Sequence, residues 1–274
     1  MFMLSSVNIY NEKTDISNNQ YFISKLGKDG KLSGHKKLKS GIKKNEEFYF
    51  TNSVIYVNGK LIGVVDQKIY IFNKDGSLDK TIKSDNYIDY LFTANNGKVY
   101  TIGNMPNTGS MGIYEIDLKT GKLGKPLDFG GNNIYNIRNT KQGKNGIVYL
   151  CNDDGIYECD LNKSKSELLF NWINVDINGS NVSDFQISED GNIYTLCTPY
   201  SYDTNGDGSS YPGIELASII KKKYSETKQK KRLTLAANYL SQNLKEEILK
   251  YNKGNKDYHI DIKSYSTYED QQKH

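Results

Sequence analysis

Short, apolar, strand-like runs of five or six residues punctuate most of this chain, and stretches such as Ser183-Asp184-Phe185-Gln186-Ile187-Ser188 alternate with a period of two that predicts strands rather than helices. The runs recur. An aromatic strand appears as Lys68-Ile69-Tyr70-Ile71-Phe72, as Gly112-Ile113-Tyr114-Glu115-Ile116-Asp117 and as Gly155-Ile156-Tyr157-Glu158-Cys159-Asp160, its tyrosines 44 and 43 residues apart. A second strand precedes each one: Lys60–Val65, Lys98–Ile102 and Ile147–Cys151, with a fourth copy at Asn192–Cys197. Turns such as Asn73-Lys74-Asp75-Gly76 and Leu118-Lys119-Thr120-Gly121 follow the aromatic strands and supply residues that tolerate the positive φ of a tight hairpin. Each unit therefore predicts four short antiparallel strands over about 40 to 50 residues, the period of a propeller blade. Units fall near 5–45, 46–84, 85–130, 131–176 and 177–224, the first lacking its innermost strand and the last running into a basic stretch.

This pattern of Gly-x-hydrophobic-Tyr with Asp-Gly or Thr-Gly turns resembles bacterial β-propellers with WD-like or YVTN-like repeats, although the WD dipeptide itself is absent. The resemblance spans residues 5–224 and implies an all-β fold, a partial β-propeller of about five four-stranded blades. A two-sheet sandwich or a β-solenoid is the rival architecture. The propeller resemblance implies no particular function, because propellers host many.

From Lys230 the pattern changes. Arg232–Ala237 reads as a strand. Leu240, Leu244, Ile248 and Tyr251 fall on one helical face, with Gly254 where a helix cap belongs, and His259–Lys263 alternates as a second strand. Such a β-α-β unit is normally two parallel strands of a larger sheet. Leu-Thr-Leu-Ala-Ala, a helix ending Tyr251-Asn252-Lys253, then Tyr258-His259-Ile260-Asp261-Ile262 and Tyr265 resemble the opening of an extracellular solute-binding protein of an ABC importer, with Tyr251 where that family more often has Phe. The domain layout expected is a propeller at 1–224, a basic linker at 225–231 and the truncated start of a solute-binding lobe at 232–274. The resemblance implies a lipoprotein, extracellular and membrane-anchored at full length, whose partners are a small solute, a sugar by expectation, and the ABC permease; the propeller offers a place for a protein partner. The rival expectation is a stand-alone propeller scaffold with the C-terminal segment docked as a helix.

Charge and composition narrow this further. The formal net charge is +4, yet residues 221–253 hold nine Lys and one Arg against three Glu, so the basic character belongs to one stretch and nucleic acid is not an expected partner. With 36% hydrophobic and 25% charged residues the chain is neither membrane-like nor disordered in composition, and 22 Tyr and 24 Gly against 4 Pro favour strands and turns. There is no 18-residue apolar run to span a bilayer. Met1-Phe2-Met3-Leu4-Ser5-Ser6 lacks the basic start and long apolar core of a secretory signal, which with the partial first blade suggests a fragment cut at both ends.

Candidate chemistry is sparse. Cys151, Cys159 and Cys197 have no zinc-type spacing and sit in apolar runs, so buried thiols are expected. Asp203-Thr204-Asn205-Gly206-Asp207-Gly208 copies half of a calcium loop, making Asp203, Asn205 and Asp207 the metal candidates, but Ile214 stands where a bidentate Glu belongs, and an acidic hairpin loop is the favoured expectation. His35 is read in a Gly- and Lys-rich turn, His259 on the last strand and His274 at the terminus, none with a catalytic partner. Trp172, the single Trp, suits core packing better than sugar stacking, and the tyrosines read as blade filling. No catalytic residue and no cofactor is expected, and the expected class is a non-enzymatic binding protein.

Overall fold

The structure, a computed structural model, describes residues 2–13, 16–39, 41, 50, 54–65, 67–106, 111–127, 136–198, 213–222, 230–237 and 240–264. The chain divides into two compact units, Met1–Asp128 and Phe129–His274.

In the first unit, β1 (Phe2–Asn11), β2 (Ile16–Leu26) and β3 (Leu32–Lys37) form a three-stranded meander. Two four-stranded meanders follow. One is β4 (Val54–Val57), β5 (Lys60–Val65), β6 (Lys68–Asn73) and β7 (Leu78–Lys83). The other is β8 (Ile88–Thr93), β9 (Val99–Asn104), β10 (Met111–Asp117) and β11 (Lys122–Leu127). The second unit holds a four-stranded meander of β12 (Asn139–Gln142), β13 (Ile147–Cys151), β14 (Gly155–Asp160) and β15 (Lys165–Asn171). It also holds a three-stranded one of β16 (Val182–Ile187), β17 (Ile193–Cys197) and β18 (Glu215–Ile219). All pairings in these five sheets are antiparallel. They are the blades of a β-propeller, and the all-β expectation holds; the first and fifth blades show three strands each among the described residues.

The way β6 distributes its side chains explains the architecture. Ile69 and Ile71 join a core with Ile62, Val64, Leu91, Val99 and Ile116, which reaches into the third blade, whereas Tyr70 and Phe72 join Ile23, Leu38, Leu61 and Val65, which reaches into the first. Alternate residues thus enter two different cores, so both faces of the strand are apolar and its centre reads as a continuous hydrophobic run. Tyr70, Tyr114 and Tyr157, the repeating tyrosines, are each 6% exposed. Within each unit the first strands of neighbouring blades approach one another, β4 with β8 and β12 with β16, as inner strands of a propeller do. In all three four-stranded blades the pairing of the third and fourth strands shifts register by a bulge, which adds local twist.

Turn chemistry sets the register. Asn58 and Gly59 link Val57 to its partner Lys60 with φ of 49° and 78°, the two positive values that a two-residue hairpin of this hand needs. In the β6–β7 turn it is Gly76, at φ 82°, that takes the left-handed position, while Asp75 accepts from Ser77 N at 3.0 Å. The carboxylates of Asp75, Asp117, Asp160 and Asp190 are all held below the ordinary range, foremost by hydrogen bonds from the side chains of Ser77, Thr120, Lys163 and Ser188. These groups bind protons less readily folded than unfolded, so their contribution is complete above about pH 4 and is lost as pH falls through the lowered folded values. Melting temperature followed from pH 7 to pH 2 is expected to drop most steeply below about pH 4, and to drop less steeply in Asp75→Asn/Asp117→Asn.

Beyond the blades, β19 (Lys231–Ala237), α1 (Gln242–Gly254) and β20 (Tyr258–Ser264) form a parallel two-stranded sheet with one helix. The helix does not stop at a left-handed Gly254. It runs through Gly254 to an extended Asn255, whose side chain accepts from Asp257 N and Tyr258 N at 2.9 and 2.7 Å and so makes the turn that the glycine was expected to make.

Candidate functional site

The described residue set contains no His, Cys, Asp or Glu grouping able to hold a metal ion, and no helix in it is long and apolar enough to cross a membrane. The most constructed feature of the second unit is the seat of the α/β element on the fourth blade, and it is built by a four-residue 3-10 turn, Trp172–Val175, at the end of β15. Asn171 caps this turn by accepting from Ile173 N at 3.1 Å, and Asp176 closes it at φ 61°. The tight turn sends successive side chains opposite ways. Trp172 goes inward, 1% exposed, edge-on to Phe170 with ring centroids 5.0 Å apart, and its Nε1 donates to Asn152 O at 2.9 Å. Ile173 goes outward into a small core with Ile248 and Leu249 of α1 and Ile262 of β20.

Two asparagines complete the seat. Asn174 Oδ1 accepts from Ile262 N at 2.8 Å and its Nδ2 donates to Ile262 O at 3.4 Å; Asn252, fully buried on α1, does the same for Ile260 at 2.7 and 3.0 Å. A side-chain amide presents the same donor and acceptor pair as a peptide, so the outer edge of β20 is satisfied as though strands lay beside it. The other edge differs. β19 is exposed along nearly its whole length, with Leu233 and Leu235 at 46% and 36%.

His259 closes the arrangement. Its Nε2 lies 3.2 Å from Asp176 Oδ1 on the blade, and its Nδ1 lies 2.9 Å from Asp261 Oδ1. The second contact is close but out of line for a hydrogen bond, so the first is the directional one. Asp261 is gripped by Arg232 Nη1, at 2.6 and 2.7 Å to its two oxygens. With the His259 side chain buried, the cluster ties the element to the blade. The sequence places His259 on the last strand without pointing to either carboxylate. His35 is likewise on strand β3 rather than in a turn, within 2.9 Å of Ser24 Oγ and stacked on Phe22 at 4.6 Å.

The remaining sequence candidates are placed as follows. Asp203, Asn205, Asp207, His274 and residues 225–229 of the expected linker lie outside the described residues. Lys230 and Lys231 are engaged in the element: Lys230 Nζ donates to Asn252 O at 2.6 Å, and Lys231, the first residue of β19, sits over the Tyr258 ring at 5.6 Å. Tyr194 departs from blade filling and is 49% exposed. All three cysteines are buried free thiols, as expected, and desolvation pushes the Cys151 and Cys159 thiols up to about 12. Iodoacetamide at pH 8 is therefore expected to alkylate these two on the order of a thousandfold more slowly than an exposed thiol, and at the ordinary rate once the protein is denatured, as read by intact-mass spectrometry. Burial also raises the Asp154 carboxyl, against the lowering influence of Lys245 on α1.

No family model and no curated protein matches the chain. Among solved structures it is similar to a Bacteroides caccae protein of unknown function, at 12% identity and a TM-score of 0.43 over 61% of this chain and 67% of that one. It is also similar to PorZ, a surface component of the type-IX secretion system of Porphyromonas gingivalis, at 14% identity and a TM-score of 0.41, over 65% of this chain but only 24% of that one. A third is a luciferin-regenerating enzyme, at 12% identity and a TM-score of 0.39 over 72% of this chain and 74% of that one. The expectation of a non-enzymatic protein is corrected on this last finding: a similar structure is an enzyme, so the fold gives no ground for excluding catalysis, and at such identity it lends this chain no activity. None of these comparisons supports a solute-binding or importer assignment.

Proposed function

We propose that the chain is the propeller-bearing part of an extracytoplasmic, membrane-anchored solute-binding protein that delivers a carbohydrate to an ABC permease, the propeller serving as a partner-binding or spacing module. The observation that carries this reading is the parallel β19-α1-β20 element, in the order that the sequence resemblance implies. Two parallel strands and one helix do not make an independent fold, and parallel sheets are normally buried on both faces. Here Leu233 and Leu235 on β19 and Leu244 and Tyr251 on α1 remain partly exposed, which suits the first piece of a larger lobe.

A second reading, a propeller scaffold for protein interaction whose C-terminal segment folds back on it, draws support from the docking of α1 through Ile248 and Leu249 against Ile173. The sequence of the complete transcript discriminates the two. A lipoprotein signal upstream and about 300 further α/β residues downstream, with sugar-dependent stabilisation of the purified full-length product, are expected for the importer reading. A stop codon directly after His274 would overturn it and favour the scaffold.

A further inference from the structure

The second unit also contains a cleft of about 620 Å³ that neither reading uses. Its walls are three turns of the fourth and fifth blades: the β12–β13 turn, the β14–β15 turn and the start of the β16–β17 turn. The walls are tied together. Asn162 Nδ2 donates to Asn145 O at 3.0 Å, and Leu161 N donates to Gly146 O at 3.1 Å, which fixes the first two turns against each other. Asn145 and Gly146 hold φ of 55° and 82°, and a side chain at position 146 would meet the Asn162 amide at 2.3 Å, so the close approach needs a glycine there.

Three of the five charged side chains in the lining are held in ion pairs within the protein. Lys141 Nζ lies 2.8 Å from Asp184 Oδ1 and Lys163 Nζ lies 3.0 Å from Asp160 Oδ2, while Lys144 and Glu189 contribute one charge of each sign. An ionic ligand would have to compete with these pairs. Left for recognition are the amides of Asn145 and Gln186, which both donate and accept, and the amide oxygen of Asn162, whose nitrogen is taken by Asn145 O, together with an apolar surface from Ile147 and Tyr149. Groups that donate and accept at once suit hydroxyls, which do the same, and an aromatic ring beside an aliphatic side chain suits the C–H face of a pyranose. The volume lies within the range of about 300–1,000 Å³ typical of small-molecule pockets.

We propose that this cleft is a binding site for a neutral oligosaccharide on the propeller itself. The proposal stands independently of the importer reading, because it concerns the fourth and fifth blades alone. Its test is titration of the 274-residue chain, followed by amide chemical shifts, with maltotriose, cellotriose, xylotriose, mannotriose and chitotriose, and with trigalacturonate and inorganic phosphate as charged probes. Saturable binding of at least one neutral trisaccharide is expected, with shifts confined to residues 141–149, 160–163 and 186–189. Gln186→Ala is expected to weaken it about fivefold, the effect of one modest hydrogen bond, with unchanged circular dichroism and melting temperature. Absence of binding by all five neutral sugars, shifts centred elsewhere, or equal or tighter binding of a charged probe would overturn the proposal. A failed sugar titration with an intact importer-type gene leaves the importer reading standing, and binding here with a stop codon after His274 leaves the cleft proposal standing.

Discussion

Trp172→Ala is expected to destabilise the second unit by about 3–5 kcal/mol, the usual cost of deleting a large, fully buried aromatic. The indole is 1% exposed and shares a core with Cys151, Ile156, Val182, Phe185, Ile193 and Cys197, which joins the fourth blade to the fifth. Its surroundings have no room to close. Gly179 lies so near that a Cβ there would meet Trp172 Cδ1 at 2.5 Å and Asp153 O at 2.1 Å, so the backbone is built around the ring and would leave a cavity without it. Asn152 O would also lose the indole N–H as a donor. Urea unfolding followed by circular dichroism reads the change, and Trp172→Phe, which restores most of the volume but not the donor, should fall between. Because Trp172 also begins the 3-10 turn that seats the α/β element, the alanine variant should expose amides in β20 to exchange. A loss below about 1 kcal/mol would mean that the ring is not a keystone of this unit.

Asn252→Ala carries the second large effect, about 2–4 kcal/mol, because it removes the partner of both the N–H and the C=O of partly buried Ile260, at about 1–3 kcal/mol for each unsatisfied group. Asn252 is fully buried. Its own backbone oxygen additionally takes the Lys230 ammonium, so loosening this end of α1 should free the start of β19 as well. Asn252→Asp supplies the acceptor for Ile260 N but not the donor for Ile260 O, and buries a carboxylate; it is expected to be no better than alanine near neutral pH. Thermal unfolding of the two variants beside the parent decides this. If both melt like the parent, β20 is held by its apolar contacts alone.

The blades were legible because everything that makes them is local. Hairpins join neighbouring strands, the turns carry Asn-Gly or Asp-Gly where positive φ is needed, and β5 and β6 are apolar on both faces because the second blade lies between two cores. The strand, helix and strand of the α/β element were legible for the same reason. Its seat was not. Asp176 and His259 are 83 residues apart, and Asn174 and Ile262 are 88 apart, and an ordinary Asn-Val-Asp after a Trp announces nothing about a distant strand. One signal was present: Asn252 lies four residues after Ile248 on the apolar face of the helix, where a polar residue needs a buried partner. Gly254 misled for an equally physical reason, since Asn255 performs the turn through its side chain and relieves the glycine of a left-handed role. Tyr194 shares the repeat position of the buried Tyr100, yet its outer neighbour is β18, a short strand whose Leu216 is itself 84% exposed.

Hydrogen exchange at Ile260 and Ile262 tests the central claim, that the α/β element is fastened to the fourth blade by amide side chains that stand in for missing strands. Both amides lie on the outer edge of β20. The account predicts that they exchange as slowly as amides inside the four-stranded blades, and that Asn174→Ala speeds Ile262 by at least an order of magnitude, the equivalent of about 1.4 kcal/mol, while sparing β5 and β6. Exchange of both at the rate of a free peptide in the parent protein would contradict it.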